Sequence, residues 1–377
     1  MSEELIIKEE KTFSGHTNSV TALAMVNSQT FISGSWDKTI KLWKIDMDTP
    51  LRIYTGHTEA VISLAVFPDK KQFISGSSDG TIKLWNIDSD TPERTYTGHT
   101  TSVWHLYVLD DNTFISRSEL EVTITLWNKK VDTHSRKYYI GSMSVLAVLD
   151  DKTFISGSCN VNTIKLRNID KTTPLQTYEG HTTALAVFPH KKQFIDKKQF
   201  ISGSCYDNTI KQWNIYSDTP ERTYQLGERI LNLAILDDNR FISVNMERTI
   251  QLWDKSQTEA LCRYDSDKSD VDALAVLDSQ TFILARSEHL HDPNSAIKMY
   301  RYFEPALEPI ITKKLDNEIS EYPSLLVQSF RGTSDGYKNR FLFDKKPRGG
   351  KRRNKKSKKK RSNKKKYSKT RRKSRKI

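Results

Sequence analysis

Fourteen residues, TFISGSWDKTIKLW at 30–43, return almost unchanged as QFISGSSDGTIKLW at 72–85. The four-residue ending comes back five more times, as ITLW (to Trp127), IKLR (Arg167), IKQW (Trp213), IQLW (Trp253) and IKMY (Tyr300). Counted from Trp43, the spacings are 42, 42, 40, 46, 40 and 47 residues. A period near forty is the mark of a repeat architecture, and the content of the unit decides which kind. Here each unit carries strand signals only. VTALAMV, TFISGS and TIKLWKI alternate or run apolar with β-branched residues, NSQ and WDK are turns between them, and PLRIYTGH is a fourth strand leading into the next unit. Helical three-four periodicity is absent, so the expected fold is all-β, built from seven units of four short strands. Strands a to c of the units are expected at about 20–45, 61–87, 103–128, 144–169, 184–215, 230–254 and 272–301.

Charge divides the chain. Of its 60 Lys and Arg, 21 lie among the 33 residues from Lys345 onward, which hold no Asp or Glu. The 344 residues before them carry 39 basic against 46 acidic side chains, a net of −7. A polyanion would therefore meet the tail first. Cys159, Cys205 and Cys262 show neither close pairing nor metal-type spacing, which suits free thiols in a reducing compartment. The opening MSEELIIKEEK lacks a signal peptide's apolar stretch, and no apolar run approaches the roughly 20 residues of a membrane span. These features lead us to expect a soluble, intracellular, monomeric protein with no membrane partner.

Four strands per unit, GH before the first and W ending the third, resemble the WD-repeat β-propeller family over about residues 4–301. The resemblance implies seven blades and, in each, a structural tetrad of His, Ser or Thr, Asp and Trp. The first unit matches it with His16, Ser33, Asp37 and Trp43, and the second with His57, Ser75, Asp79 and Trp85. The fifth matches it with His181, Ser202, Asp207 and Trp213, with one extra residue between Ser and Asp. Such polar groups need partners once buried, and linked in series they tie three strands to the incoming loop.

Other units depart from the pattern. The third keeps His99, Ser116 and Trp127 but has Glu121 for Asp; the sixth keeps Ser243 and Trp253, has Glu247 for Asp and lacks the GH pair. The fourth has Ser142, Val161 and Arg167 in place of His, Asp and Trp, and the seventh keeps only the strand outline. Blades 4, 6 and 7 are thus expected to be the looser part of the ring. Ring closure has two candidates, residues 4–13 and EPIITKKL at 308–315. KKQFIDKKQFI at 191–201 repeats a six-residue step, as an exposed a–b turn tolerates. Residues 302–344 read as a hairpin, either packed beside the ring or a remnant of an eighth blade, and 345–377 as a disordered tail.

The one-per-blade histidines read as structural rather than catalytic. His289, His291 and Asp292 come close together but lack further spaced ligands, so no metal site or cofactor is expected. No nucleophile elbow, phosphate loop or HExxH motif is present, which argues against an enzyme. Trp36, Trp104 and Tyr206 stand outside the strand-c set. The resemblance places them on the propeller's top face, where they read either as anchors for a protein or peptide partner or as ordinary loop packing.

In the tail, Lys351, Arg352, Arg353, Lys355, Lys356, Lys358, Lys359, Lys360, Arg361, Lys364, Lys365, Lys366, Arg371, Arg372 and Lys373 form a run that suits nuclear or nucleolar targeting or non-specific nucleic-acid contact. Without such targeting the protein is expected in the cytoplasm. Tyr367 is the tail's only aromatic, so base stacking is not expected. Ser357, Ser362, Ser368, Thr370 and Ser374 could be phosphorylated, weakening such contact. The expected role is a non-enzymatic interaction scaffold. The alternatives are an adaptor on RNA or chromatin and, further off, a ubiquitin-ligase substrate receptor. The last lacks a preceding F-box-like segment and has WDKT and WDKS rather than W-D-x-R.

Overall fold

The computed structural model describes residues 5–303 apart from 119, 140–143, 159–161, 181, 189–197, 205–206, 266–269 and 288–294. Everything after Phe303 lies outside the described residues, including the rival closing strand at 308–315, the hairpin and the basic tail. The described residues all belong to one unit, Met1–Arg331; a second, Gly332–Ile377, falls wholly outside them.

Every element among the described residues is a strand, and the strands form seven antiparallel four-stranded sheets, or blades. In blade 1 the order is Val20–Asn27 (strand a), Thr30–Ser35 (b), Ile40–Lys44 (c) and Arg52–Tyr54 (d). Blades 2 to 6 repeat it, with strands a at Val61–Val66, Val103–Val108, Ser144–Val148, Ala184–Val187 and Ile230–Ile235. Blade 7 takes strands a to c from Asp270–Val276, Thr281–Ser287 and Ala296–Phe303. Its strand d comes from the other end of the chain. Ile6–Phe13 runs antiparallel to Ala296–Phe303, with Ile7 opposite Tyr302, Phe13 opposite Ile297 and a bulge between Glu9 and Lys11.

The apolar alternation is spent between blades. Strand b is buried along nearly its whole length because both faces of the blade are covered. Ala22, Ala24, Ile32 and Tyr54 of blade 1 pack with Val61, Leu64, Phe73 and Trp85 of blade 2, and such clusters recur around the circle. Strand a of each blade touches strand a of the next, including blade 7 to blade 1, so the ring closes.

Polar side chains reinforce these junctions. Near the ring axis, Thr21 Oγ1 donates to Val61 O (2.5 Å), Ser63 Oγ to Val103 O (2.8 Å) and Thr183 Oγ1 to Ile230 O (2.8 Å). Further out, the strand-d tyrosine of one blade reaches a carbonyl of the next. Tyr54, Tyr96, Tyr178 and Tyr224 donate to Ile87, Lys129, Ile215 and Lys255 at 2.7–3.0 Å, and Tyr138 donates to Ile169. Glycine in the SGS triplet lets blades approach. A Cβ on Gly76 would lie 2.4 Å from Ser63 Oγ and 2.7 Å from Val103 Cγ1.

The a–b turns share one device. Asn27, Asp69, Asp110, Asp150, Asp237 and Asp278 each accept backbone N–H bonds from residues two and three ahead. In blade 5 the six-residue copy falls in this connection, largely within 189–197 and so outside the described residues.

Candidate functional site

The b–c turns and the d–a loops, where the GH pairs lie, crowd one face of the ring, the top. Beneath it in blade 1, Trp43 Nε1 donates to Ser33 Oγ (2.7 Å), His16 Nε2 lies 2.7 Å from the same hydroxyl, and His16 Nδ1 lies 2.7 Å from Asp37 Oδ2. Thr39 donates its hydroxyl (2.6 Å) and its N–H (2.9 Å) to Asp37 Oδ1. Hydrogen-bonding rules set the direction of this relay. The indole can only donate, so Ser33 accepts from Trp43 and gives its own proton to His16 Nε2, leaving Nδ1–H for the carboxylate.

A neutral imidazole beside an ionised carboxylate is what burial and charge favour here. Burial pushes His16 below the ordinary histidine value, against the opposing pull of Asp37. Burial alone would raise Asp37, but hydrogen bonds from His16 and Thr39 hold it well below the usual carboxylate range. Blade 2 repeats the set, with Trp85–Ser75 at 2.7 Å, His57–Ser75 at 2.7 Å and His57–Asp79 at 2.9 Å.

A Ser–His–Asp series invites comparison with a nucleophilic triad, and the geometry argues against that chemistry. Ser33 and Ser75 are fully buried, and each already accepts from an indole while donating to a histidine. No substrate carbonyl could reach the oxygen. The arrangement is a clasp joining the incoming loop to strands b and c.

The departing blades show how far the clasp can be altered. In blade 3 the longer Glu121 reaches His99 (3.1 Å), and His99 and Trp127 hold Ser116 at 2.6 and 2.7 Å. In blade 5, Trp213 donates to Ser202 (2.8 Å) and Thr209 to Asp207 (2.8 Å), while His181 lies outside the described residues. Blade 6 keeps Trp253–Ser243 at 2.9 Å.

Glu247 requires a correction. Although it occupies the aspartate's place in sequence and stays in contact with Glu228, it is exposed and does not take the bonds from Thr249 that the aspartate takes in blades 1 and 2. Asn245 accepts the Thr249 N–H (2.9 Å), and Asp265 accepts the Thr249 hydroxyl (3.1 Å). The histidine's place is held by Glu228, whose carboxyl is raised by burial first, then by the like charge of Glu247 and a hydrogen bond with it, so an acid–acid contact replaces the histidine–aspartate pair. In blade 4, Arg167 Nε donates to Ser156 Oγ (3.1 Å), taking over the indole's role, with Ser142 and Val161 outside the described residues. In blade 7, Leu284 fills the serine's place and Tyr300 the indole's, stacked on Phe282.

Among the aromatic candidates, Trp36 is half-buried in the blade 1 turn, its backbone N–H donating to Ser19 O (2.9 Å). Trp104 is half-buried in strand a of blade 3, and Tyr206 lies outside the described residues. So do Cys159, Cys205, His289, His291 and Asp292. Cys262 is a half-buried thiol pushed up to about 11 by burial. No group of three or more potential metal ligands occurs among the described residues. No sequence motif points to His105 and Arg117, buried directly opposite each other in blade 3. Burial first, then Arg117, hold His105 down to about 3.

Seven four-stranded sheets in a closed ring, clasped beneath one face, define a β-propeller. Residues 7–44, 48–86 and 172–214 match the family described as WD domain, G-beta repeat, so three stretches of this seven-bladed propeller are WD repeats. A guanine nucleotide-binding protein subunit beta of Zea mays is 42% identical over 59 residues, 15% of this chain and 16% of its own length. A ribosome biogenesis protein WDR12 homolog of Nematostella vectensis is 37% identical over 79 residues, 13% of this chain and 19% of its own. The chain thus spans less than a fifth of either relative. Propellers of this family generally serve as protein-interaction scaffolds.

Proposed function

We propose that this protein is a non-enzymatic scaffold that docks a protein or peptide partner on the top face of its propeller. The observation carrying this reading is the pair of half-buried indoles, Trp36 and Trp104, on elements held in place from below. The turn bearing Trp36 is fixed by Asp37, whose N–H donates to Ser35 Oγ (3.0 Å) and whose carboxylate is held by His16 and Thr39. An aromatic anchor on a rigid turn loses little conformational freedom on binding, which favours its use as a contact point. Capture of partners from cell extract with the full chain and with a Trp36→Ala/Trp104→Ala variant tests this. Specific partners should drop out of the variant's set, and an unchanged set would refute the reading.

A second reading has its own support. Twenty-one positive charges with no acid in the final 33 residues suit an adaptor tethered to RNA or chromatin, and one relative is named for ribosome biogenesis. If about eight of those charges met phosphates, affinity would fall roughly 10³–10⁵-fold between 50 and 200 mM salt. Electrophoretic shifts with and without 345–377 test it; binding that survives the deletion would exclude the tail as the tether.

A further inference from the structure

Six blades set an acid and a cation at one level of their outer strands. Two residues before the strand-c aromatic stand Lys41, Lys83, Lys211 and Lys298 in blades 1, 2, 5 and 7. In blades 3 and 6 that position is Thr125 or Gln251, and the cation sits directly opposite on strand d, as Lys137 or Arg263. Four of these cations form ion pairs, Lys211–Asp207 (3.2 Å), Lys137–Glu121 (3.8 Å), Arg263–Asp265 (2.7 Å) and Lys298–Glu9 (3.1 Å). In blades 1 and 2 the clasp aspartate supplies the acid.

Blade 4 has the cation, Lys165, without an acid paired to it among the described residues. In sequence Val161 lies six residues before Arg167, as Asp37, Asp79 and Asp207 lie before Trp43, Trp85 and Trp213, and the next residue, Asn162, has a φ of 51° as Lys38 after Asp37 has 71°. Three donors then lack their usual acceptor. Thr163 Oγ1, equivalent to the hydroxyls that donate to Asp37 and Asp207, is buried with no hydrogen-bond partner. Lys165 forms no ion pair among the described residues. Arg167, 5% exposed, makes its one hydrogen bond among them through Nε to Ser156, leaving both terminal amino groups unused. Residues 163, 165 and 167 alternate along one strand and so share a face. Glu179, directly opposite Thr163, is exposed and pairs with none of the three among the described residues.

We infer that this face of blade 4 binds a small external oxyanion, about the size of a carboxylate, where its sister blades carry one of their own. A hydroxyl, an ammonium and a guanidinium are the donor set that oxyanions attract. A partner's acidic side chain and free inorganic phosphate share this chemistry, with acetate standing for the first source. The inference does not depend on the docking role of Trp36 and Trp104.

The test follows the Nε–H signal of Arg167 by NMR in the ¹⁵N-arginine-labelled full chain, assigned by its loss in Arg167→Lys. Acetate and inorganic phosphate are titrated separately at constant ionic strength. The wild-type signal should shift saturably with at least one of them. Thr163→Val, which removes one hydrogen bond, should weaken that binding about tenfold. Val161→Asp, which restores an internal carboxylate, should abolish the titration and raise the melting temperature. Tighter acetate binding assigns the site to a carboxylate, and tighter phosphate binding to the free anion. A wild-type signal that stays fixed, or that moves alike in all three proteins, overturns the inference.

Discussion

Ser33→Ala removes one oxygen and strands two buried partners. Trp43 Nε1 loses its only acceptor, and His16 Nε2 loses the hydroxyl that gives it a proton. Both side chains are buried, and an alanine methyl leaves no room for a water large enough to bridge them. A stranded buried polar group costs about 1–3 kcal/mol, so the variant should lose about 2–6 kcal/mol. Blade 7 shows why the loss comes from the orphans rather than from the missing hydroxyl. Leu284 occupies the same slot there beside Tyr300, with no indole or histidine left to satisfy. Adding Trp43→Phe to Ser33→Ala removes one orphan, so the double variant should cost about 1–3 kcal/mol less than the sum of the singles. Urea unfolding of the full chain, read from the remaining tryptophans as a shift in midpoint, measures both effects. A single-variant loss under about 0.5 kcal/mol, the scale of an ordinary surface change, would refute the reasoning.

Tyr96→Phe should cost about 1–3 kcal/mol by stranding Lys129 O at the junction of blades 2 and 3, and an unchanged urea midpoint would count against the tyrosine links. Gly76→Ala should cost about 1–3 kcal/mol by forcing a methyl against Ser63 and Val103; a neutral result in the same assay would mean that the blades are less closely packed. Acid should weaken the fold. His16, His57, His99 and His105 are all lowered by burial, so the folded chain binds fewer protons than the unfolded one, whose histidines titrate near 6.5. The stability these groups contribute is present above pH 6.5 and is lost as pH falls towards their folded values. His105, held to about 3, contributes on the order of 4 kcal/mol to that loss. Unfolding midpoints measured from pH 7 to pH 4 should fall steadily, and His105→Leu should flatten the slope; a level wild-type profile contradicts this.

Much of the blade is visible in one dimension because its parts are local. The offsets among His16, Ser33, Asp37 and Trp43 lie within one repeat, and their recurrence at 57–85 exposes the period. What depends on a neighbouring blade is not visible in this way. Nothing beside Tyr96 in the sequence points to Lys129 O, because the contact crosses 33 positions. The burial of His105 against Arg117 likewise needs the adjoining strands in place. Glu247 shows a further limit. Its position matches the motif, yet Asn245 and Asp265 take the bonds, because which side chain reaches Thr249 depends on cross-strand distance and on Glu228 rather than on alignment. Arg167 reads as an erosion of the motif until its Nε is seen on Ser156.

The central claim is that the two ends of the propeller segment meet in one sheet and close the ring. Lys8 lies opposite Arg301 in that sheet, so cysteines at these two positions should couple within one chain under mild oxidation and raise the melting temperature. If Arg301→Cys instead couples with a cysteine placed in 308–315 and not with Lys8→Cys, the closing strand has been assigned to the wrong segment and the account fails.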